Sequence, residues 1–359
     1  MMITIRDDCL EENEFGKISG ILKDEDAMCS YVEYILKRCG FSYLVNDVIE
    51  KIKEKKDRLA HVIICFSLGV LFFDFLSLRA NIDKEYSKVF DSKKNEKIVE
   101  FVWMILSIFH DLGYWYNIEG EYLDEKTFST IFNVMPVITL PNQCEVEILS
   151  YTDGESLGVK NFNRNNAIQS RYNSSTYYNY FRMRNAALKK NCIYEEKYEH
   201  GILGGYEVCK LFLTEQAVQY DLEESTSDYI RYNLILDIAY KILDHNIWKA
   251  DDKSVETYKK YSLQALIGDN YKKINPDKDP LLFLLCVVDT IEWTKRGIDD
   301  KFISRIEVSS EKIVIEYDKS KVNIDWVNSI ICLPKWVDIR VEYKDNIIEL
   351  QKLDYNFDE

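Results

Sequence analysis

Histidine and proline are both scarce in this chain, which has four histidines and five prolines among 359 residues. Few prolines and long apolar runs favour uninterrupted helices over most of the sequence. Nine cysteines are present, but no two are spaced as a Cys-x-x-Cys pair. This spacing argues against a zinc ribbon and against a disulfide framework, and it favours free thiols in a reducing cytosol.

Basic residues are also fewer than acidic ones. The chain has 46 lysines and arginines and 61 aspartates and glutamates, which gives a net charge of −15. The surface as a whole is expected to repel nucleic acid and anionic lipid. The first residues, MMITIRDDCLEENEF, lack the apolar core of a signal peptide, which predicts a cytoplasmic protein. An apolar stretch at 59–78 has the length of a membrane span, but it contains His61 and Asp74. Because a charge in mid-bilayer is costly, we predict a buried helix there and no membrane partner.

Apolar periodicity predicts a mainly α protein. The hydrophobic fraction of 47% is enough for a sizeable core, in one large or two ordinary domains. The clearest predicted helices are Met28–Lys37, Tyr43–Lys55, Arg58–Leu76, Lys97–His110, Tyr198–Leu213, Tyr229–Leu243 and Pro280–Trp293. Lys97–Phe109 and Leu281–Val288 are apolar all round, as expected for helices at the centre of an α-bundle.

Two regions depart from the helical pattern. Residues 151–195 are rich in asparagine and tyrosine without a sustained period, so we interpret them as an insertion with one short helix near 180–190. Apolar and β-branched residues alternate or run together in three later segments, KIVIEY (312–317), VDIRVEY (337–343) and NIIEL (346–350). The sequence YKDN at 343–346 predicts a turn. We therefore predict a helical domain over 1–300, with an N-terminal extension, and a small β-rich appendage over 301–359.

The scarce histidines all occur in or beside apolar helical segments, at His61, His110, His200 and His245. Two aspartates have similar settings, since Asp111 follows ILSIFH and Asp289 follows eight apolar residues. An unpaired buried carboxylate is costly, so these side chains need partners, and a divalent transition metal would satisfy them together. Imidazole and carboxylate ligands suit Mn, Fe, Ni or Zn, as one or two ions. Taken singly, His110 and His245 are better explained as helix C-caps or core hydrogen-bond donors, whereas the four histidines and two aspartates taken together favour a metal site.

The order of these residues resembles that of the HD-domain superfamily of metal-dependent phosphohydrolases, over about residues 58–296. RLAH (58–61) resembles the Arg-x-x-His helix start of that superfamily, and FHDLG (109–113) resembles its His-Asp signature. EHGILGG (199–205) is similar to the His-Gly opening of its third helix, and VVDTIEW (287–293) to its closing aspartate helix. The fold that the resemblance implies is an HD-domain helical bundle.

The resemblance also implies a role for each ligand-type residue. The core metal set would be His61, His110, Asp111 and Asp289. His200 and His245 would hold a second metal bridged by Asp111, or would act with Asp111 as catalytic residues that face the phosphate. Tyr114 stands where the cyclic-dinucleotide phosphodiesterase branch has lysine, and GYWYN does not match the deoxynucleoside triphosphatase branch, so neither branch is implied.

A local positive region interrupts the acidic background. Seven basic residues, with no aspartate or glutamate, occur between Lys160 and Lys190. The candidate phosphate contacts are Arg164, Arg171, Arg182, Arg184, Lys189 and Lys190, together with Arg296 beyond the last aspartate helix. Arginine forks recognise phosphate, and the interleaved tyrosines offer faces on which a base can stack. Because the region shows no regular period, we predict a mobile phosphate-binding lid; the alternative is a solvated loop over packed tyrosines.

These features together predict a cytoplasmic phosphohydrolase that cleaves a nucleotide or related phosphate ester with a metal-activated water. Three alternatives stay open: an HD-fold di-iron oxygenase, a metal-dependent nuclease, and a non-catalytic nucleotide-sensing or interaction module. The expected partner is a phosphate-bearing small molecule, and nucleic acid is less favoured. The exact substrate, the oligomeric state and the role of the β-rich appendage are left undetermined by the sequence.

Overall fold

The computed structural model describes residues 2–5, 24–38, 46, 48–50, 56–87, 90–92, 95–114, 146–149, 156–162, 171–172, 174–191, 200–209, 237–293 and 302–353. These residues are mainly helical, as predicted, and a small antiparallel sheet lies near the C-terminus. They form two compact units. The first unit comprises Met1–Lys37, Phe41–Ile82 and Lys273–Glu359, and the second comprises Arg38–Gly40 and Asp83–Lys272. The predicted division at residue 300 stays a prediction.

The helices of the described residues are α1 (Glu25–Arg38), α2 (Lys56–Leu71), α3 (Leu78–Ser87), α4 (Asn95–Phe109), α5 (Ser174–Asn191), α6 (His200–Cys209), α7 (237–244), α8 (Val255–Lys260), α9 (Pro280–Ile291) and α10 (Ile324–Cys332). The strands are β1 (Met2–Ile5), β2 (Phe90–Ser92), β3 (Val146–Leu149), β4 (Ser156–Phe162), β5 (Ile303–Val308), β6 (Lys312–Tyr317), β7 (Arg340–Lys344) and β8 (Ile347–Gln351). Of the helix predicted over Tyr43–Lys55, residues 46 and 48–50 are described and helical, and the rest lies outside the described residues.

The β-rich appendage is confirmed as part of a five-stranded sheet in the first unit. The strand order is β1-β5-β6-β8-β7, with β1 parallel to β5 and every other pair antiparallel. Strand β6 coincides with the predicted segment KIVIEY, and Ile313, Ile315 and Tyr317 alternate into the core. The β7–β8 hairpin turns at Asp345, whose φ is 58°, inside the predicted YKDN turn.

Helix α10 anchors the end of α9 in the same unit. Asn323 caps α10, because its side-chain oxygen accepts the Asp325 N–H at 2.9 Å. The buried indole of Trp326 donates from Nε1 to the backbone oxygen of Ile291 at 2.8 Å. This bond holds the last turn of α9 immediately before Glu292, a residue of the candidate site.

Helix α2 packs against α9 and ends earlier than predicted, at Leu71 instead of residue 76. The chain reverses at Leu76 and Ser77, whose φ angles are 52° and 55°, and the Leu76 N–H donates to the Ser310 oxygen at 2.9 Å.

Within the described residues, no single helix is long and apolar enough to cross a membrane. Arg58–Leu71 and Phe75–Tyr86 meet the length and composition criteria only as a pair, and a 94° bend separates them.

The second unit corrects the prediction for residues 151–195. This region contains strand β4, the central strand of the antiparallel sheet β2-β4-β3, and the 18-residue helix α5 in place of one short helix near 180–190. The helix forms because Tyr177, Tyr180 and Phe181 share a buried face at helical spacing. Tyrosine served as the apolar residue of this amphipathic pattern, so the prediction of an irregular segment was wrong.

A buried ionic network supports helix α7 in the second unit. Lys241 Nζ lies 3.4 Å from Asp237 Oδ1, one turn earlier, and 3.2 Å from Glu85 Oε1 on α3. The hydroxyl of Tyr86 donates to the other carboxylate oxygen of Asp237. The network compensates the burial of these charges and fixes the helix that ends just before His245.

Candidate metal centre

In the first unit, α2 and α9 bring His61 beside two carboxylates. His61 Nδ1 lies 2.6 Å from Glu292 Oε2, and neither side chain is exposed. His61 Nε2 lies 3.3 Å from Asp289 Oδ1, whose side chain is 18% exposed. A histidine that gives its Nδ1–H to a buried carboxylate keeps the lone pair on Nε2, which is the arrangement typical of metal-binding histidines.

Cys65 completes a triad of potential ligands in this unit. It follows His61 by one helical turn on α2, and its sulfur lies 3.6 Å from Nδ1 and 3.7 Å from Nε2 of that ring. The ligand atoms of His61, Cys65 and Asp289 all lie within 4.8 Å of one another. These three side chains could hold a metal ion through nitrogen, sulfur and oxygen.

In the second unit, His110 and Asp111 follow the end of α4 and are both buried. His110 Nδ1 lies 2.8 Å from the Ser107 backbone oxygen. A carbonyl can only accept, so Nδ1 carries the proton and Nε2 carries the lone pair. That Nε2 lies 3.8 Å from Asp111 Oδ1, and His200 Nε2 lies 3.6 Å from the same oxygen.

His245 repeats the arrangement of His110 at the end of α7. Its Nδ1 lies 2.6 Å from the Ile242 backbone oxygen, which again leaves the lone pair on Nε2. Its ring centroid is 5.2 Å from that of His200, with the planes at 68°. The ligand atoms of Asp111, His200 and His245 all lie within 4.8 Å of one another, so this second triad could also hold a metal ion.

His200 is oriented by two neighbours, one stacked on its ring and one at its Nδ1 atom. Tyr114 stacks on it at a centroid distance of 4.1 Å and an interplanar angle of 18°. The side-chain amide of Asn246 reaches His200 Nδ1 at 3.5 Å. The His200 side chain is 15% exposed, whereas that of Asp111 is 1% exposed, so His200 is the more accessible of the two.

The distances within the two triads fit ligands better than direct hydrogen bonds. Within the triads, Nε2 lies 3.3 Å from the carboxylate oxygen in the pair His61–Asp289 and 3.6 Å in the pair His200–Asp111, and both separations exceed the usual hydrogen-bond range. Two atoms that each lie about 2.1 Å from one ion stand roughly 3.0–3.4 Å apart in octahedral or tetrahedral geometry. The separation of 3.3 Å lies within this range and the separation of 3.6 Å is slightly longer, so each triad could hold a metal ion.

Glycines permit the close approach of the segments that carry the second triad. A Cβ at Gly113 would lie 2.1 Å from the His200 backbone oxygen. A Cβ at Gly201 would lie 3.1 Å from His245 Cε1 and 3.0 Å from Asn246 Cβ. The glycines of FHDLG and EHGILGG therefore bring α6 against the turn after α4 and against the end of α7.

Helix α5 supports the segment that follows α7. The Tyr177 hydroxyl donates to Asp244 Oδ1 at 2.9 Å, and the Tyr180 hydroxyl donates to the Asn246 backbone oxygen at 2.9 Å. The same Tyr180 hydroxyl accepts the Trp248 N–H at 3.2 Å. The helix with the basic residues therefore holds the residues on both sides of His245, Asp244 through its side chain and Asn246 through its backbone.

The predicted phosphate contacts fall into three groups. Each described arginine lies over an aromatic ring: Arg171 over Tyr172 at 5.8 Å, Arg182 over Tyr178 at 5.7 Å, and Arg184 over Trp248 at 4.9 Å. Arg171 also donates to the Lys272 backbone oxygen. Lys189 and Lys190 belong to the last turn of α5, and Arg164 and Arg296 lie outside the described residues. Phosphate binding by these residues stays a prediction.

Sequence reasoning named His61, His110, Asp111, His200, His245 and Asp289 as candidates, and it did not name Cys65 or Glu292, which the structure places beside His61. The spacing of four residues between His61 and Cys65 on one helix was the available signal for the cysteine. Glu292 was visible only as the acidic residue of VVDTIEW. The prediction that all six histidines and aspartates converge on shared metal stays a prediction from their order.

Comparison of the chain with family models, with curated proteins and with solved structures finds no match. The resemblance to the HD-domain superfamily therefore remains a prediction that rests on the sequence motifs.

Proposed function

We propose that this chain is a metal-dependent phosphohydrolase with an HD-domain bundle, acting in the cytoplasm on a nucleotide or related phosphate ester. One observation carries the proposal. In His61, His110 and His245 the Nδ1 atom is held by a protein acceptor, so that Nε2 is left as a ligand close to a carboxylate or another histidine. Orientation of Nδ1 by a protein acceptor, repeated in several scarce histidines, is typical of metal-binding histidines.

The chain's own residues bind and orient the reactants. The ligands in the second unit would be Asp111, His200 and His245, and those in the first would include His61 and Asp289. A bound divalent metal supplies an activated water and polarises phosphoryl oxygens. His200 is partly exposed and stacked on Tyr114, so a protonated His200 can donate a hydrogen bond to a phosphoryl oxygen if it is not itself a ligand.

The choice of a phosphate ester is supported by charge. The described arginines of α5, Arg182 and Arg184, occur in a segment without acidic residues, in a protein with a net charge of −15. Guanidinium forks bind phosphate oxygens in pairs, and the associated rings offer stacking faces for a base. The helix α5 also holds the segment around His245, which links the recognition residues to the second triad.

Metal analysis followed by a substrate screen tests the proposal. Freshly purified protein should contain Mn, Fe, Ni or Zn, and it should release phosphate or a nucleoside monophosphate from nucleotide substrates. His245→Ala should lose metal and activity, whereas Asp252→Asn, a change of an exposed carboxylate, should keep both. Full metal loading of His245→Ala would contradict a ligand role for this histidine.

The same screen separates the alternatives. Consumption of O₂ by the iron-loaded protein without phosphate release would replace the proposal with an HD-fold di-iron oxygenase. Cleavage of single-stranded nucleic acid with no action on mononucleotides would indicate a nuclease. Tight nucleotide binding with no turnover in the presence of each metal would indicate a sensing or interaction module.

A further inference from the structure

We propose that Cys65 is a thiolate ligand of the ion held by His61 and Asp289, so that the first unit binds a thiophilic metal such as Zn²⁺. The inference concerns the metal centre of the proposed function, and it does not depend on which reaction that centre performs.

The placement of Cys65 carries the inference. His61 and Cys65 are four residues apart on α2, so both side chains leave the same face of one helix. Both are fully buried, and the sulfur is within 3.7 Å of each ring nitrogen. Among the described residues, Cys65 is the one cysteine that belongs to a cluster of three or more potential ligands.

A second observation shows that this position is built for a ligand. Glu292 holds His61 Nδ1 at 2.6 Å, so the ring does not need the thiol as a hydrogen-bond partner. The Nε2 of the same ring lies 3.3 Å from Asp289, too far for a good hydrogen bond and suited to a shared ion. The sulfur therefore lies beside two groups already arranged for a metal.

The ligand set has a chemical consequence. On binding, the thiol loses its proton to solvent and the sulfur forms a bond to the metal of about 2.3 Å. Thiolate favours Zn²⁺, Co²⁺ and Fe²⁺ and disfavours Mg²⁺ and Mn²⁺, which prefer oxygen. The triad in the first unit, with N, S and O donors, should be more selective than the triad of Asp111, His200 and His245, with O, N and N donors.

Cobalt substitution tests the proposal on the full chain, with Co²⁺ alone as the probe. The Co²⁺-loaded protein should show a near-ultraviolet thiolate-to-cobalt charge-transfer band in addition to weak visible ligand-field bands. Cys65→Ala should lose the charge-transfer band and bind Zn²⁺ at least about tenfold more weakly. Cys29→Ala, a matched change of another buried cysteine in the same unit, should keep both properties.

Each outcome is informative. Visible cobalt bands without a charge-transfer band in the native protein, or a band that survives in Cys65→Ala, would overturn the thiolate ligand and leave the metal centre in place. Failure of the native protein to bind Co²⁺ or Zn²⁺ would overturn both the thiolate ligand and the metal centre of the proposed function. If Cys65→Ala does not fold, X-ray absorption of the native zinc-loaded protein decides instead, because the proposal requires a sulfur scatterer at about 2.3 Å.

Discussion

Glu292 accepts the Nδ1 proton of His61 at 2.6 Å, although 231 residues separate the two in the chain and both are fully buried. The bond fixes the orientation and the tautomer of a ring whose Nε2 faces Asp289. A buried carboxylate in this position also raises the basicity of the histidine as a ligand. Glu292 is therefore a positioning residue of the candidate centre in the first unit.

Glu292→Gln tests this relationship. The amide can still accept a hydrogen bond but carries no charge, so Zn²⁺ affinity should fall by roughly 10–100-fold. Competition with a chromophoric chelator measures the affinity. The exposed change Glu311→Gln is the control and should leave it unaltered. Equal Zn²⁺ affinities in Glu292→Gln and the native protein would contradict a positioning role for Glu292.

Gly113→Ala tests the close approach of α6 to the turn after α4. The added Cβ would stand 2.1 Å from the His200 backbone oxygen, a distance that no side chain can tolerate, so α6 must shift. Overpacking of this kind costs about 1–3 kcal/mol or more of unfolding free energy. Urea denaturation measures that loss. Metal analysis should also show weaker metal binding by the second triad.

Gly204→Ala supplies the graded comparison for this prediction. Its Cβ would lie 3.1 Å from the Gly113 nitrogen, so a smaller adjustment is sufficient. The unfolding free energy should fall less than in Gly113→Ala. A larger loss in Gly204→Ala would mean that the segments are arranged differently.

Alkaline pH should destabilise the second unit through Tyr86. Burial, and next the neighbouring Asp237 carboxylate, raise the pKa of Tyr86 well above its usual value. Ionisation above about pH 10 then favours the unfolded chain, where Tyr86 has an ordinary pKa. The stabilisation from neutral Tyr86 is full below pH 10 and is lost as pH rises towards the folded-state pKa.

The variant Tyr86→Phe isolates this contribution. It should be less stable than the native protein near pH 7, because Asp237 loses a hydrogen bond worth about 1–3 kcal/mol. Its unfolding free energy should then decline less steeply between about pH 10 and 11. Thermal or urea unfolding across that range measures both effects. Parallel pH profiles for the two proteins would show that Tyr86 does not titrate on unfolding.

Replacing Arg182 and Arg184 together with alanine should raise the KM for a phosphate-rich substrate. Each lost charge-assisted contact is worth about 1.5–3 kcal/mol in a desolvated site and much less in an open one. Lysine at both positions should restore only part of the affinity, because it lacks the bidentate fork. Lys260→Ala, which removes an exposed cation from α8, is the control.

Steady-state kinetics decide this prediction. An unchanged kcat/KM across nucleotide substrates would reduce the arginines to surface residues stacked on Tyr178 and Trp248. Because α5 is an 18-residue helix, any movement over the site would involve this helix as a whole.

Local sequence patterns predicted the parts of the structure that depend on residues close together in the chain. The alternation in KIVIEY placed β6 at Lys312–Tyr317, and YKDN placed the following hairpin turn. The apolar runs before His110 and Asp289 predicted helices. In the structure His110 directly follows α4, and Asp289 lies in the last turn of α9. Periodicity of this kind is visible in the sequence because residues within a few positions determine which face of a helix or strand is buried.

Tyrosine limited what periodicity could predict. In α5 the buried face is made largely of tyrosines, whose hydroxyls bond to Asp244 and Asn246. A tyrosine counts as apolar or polar according to whether its hydroxyl finds a partner, and that partner is distant in sequence. The helix was therefore predicted only as a short segment near 180–190, whereas α5 extends over Ser174–Asn191.

The sequence by itself determined the ligand types, their scarcity and the helices that carry them. The tertiary structure decided which side chains meet: Glu292 with His61, Cys65 with the same ring, and Gly113 with the His200 backbone. Local helical geometry depends on residues three or four positions apart, whereas these contacts depend on how separate helices pack. Packing is set by shape complementarity across the whole core, and no short segment of the sequence contains that information.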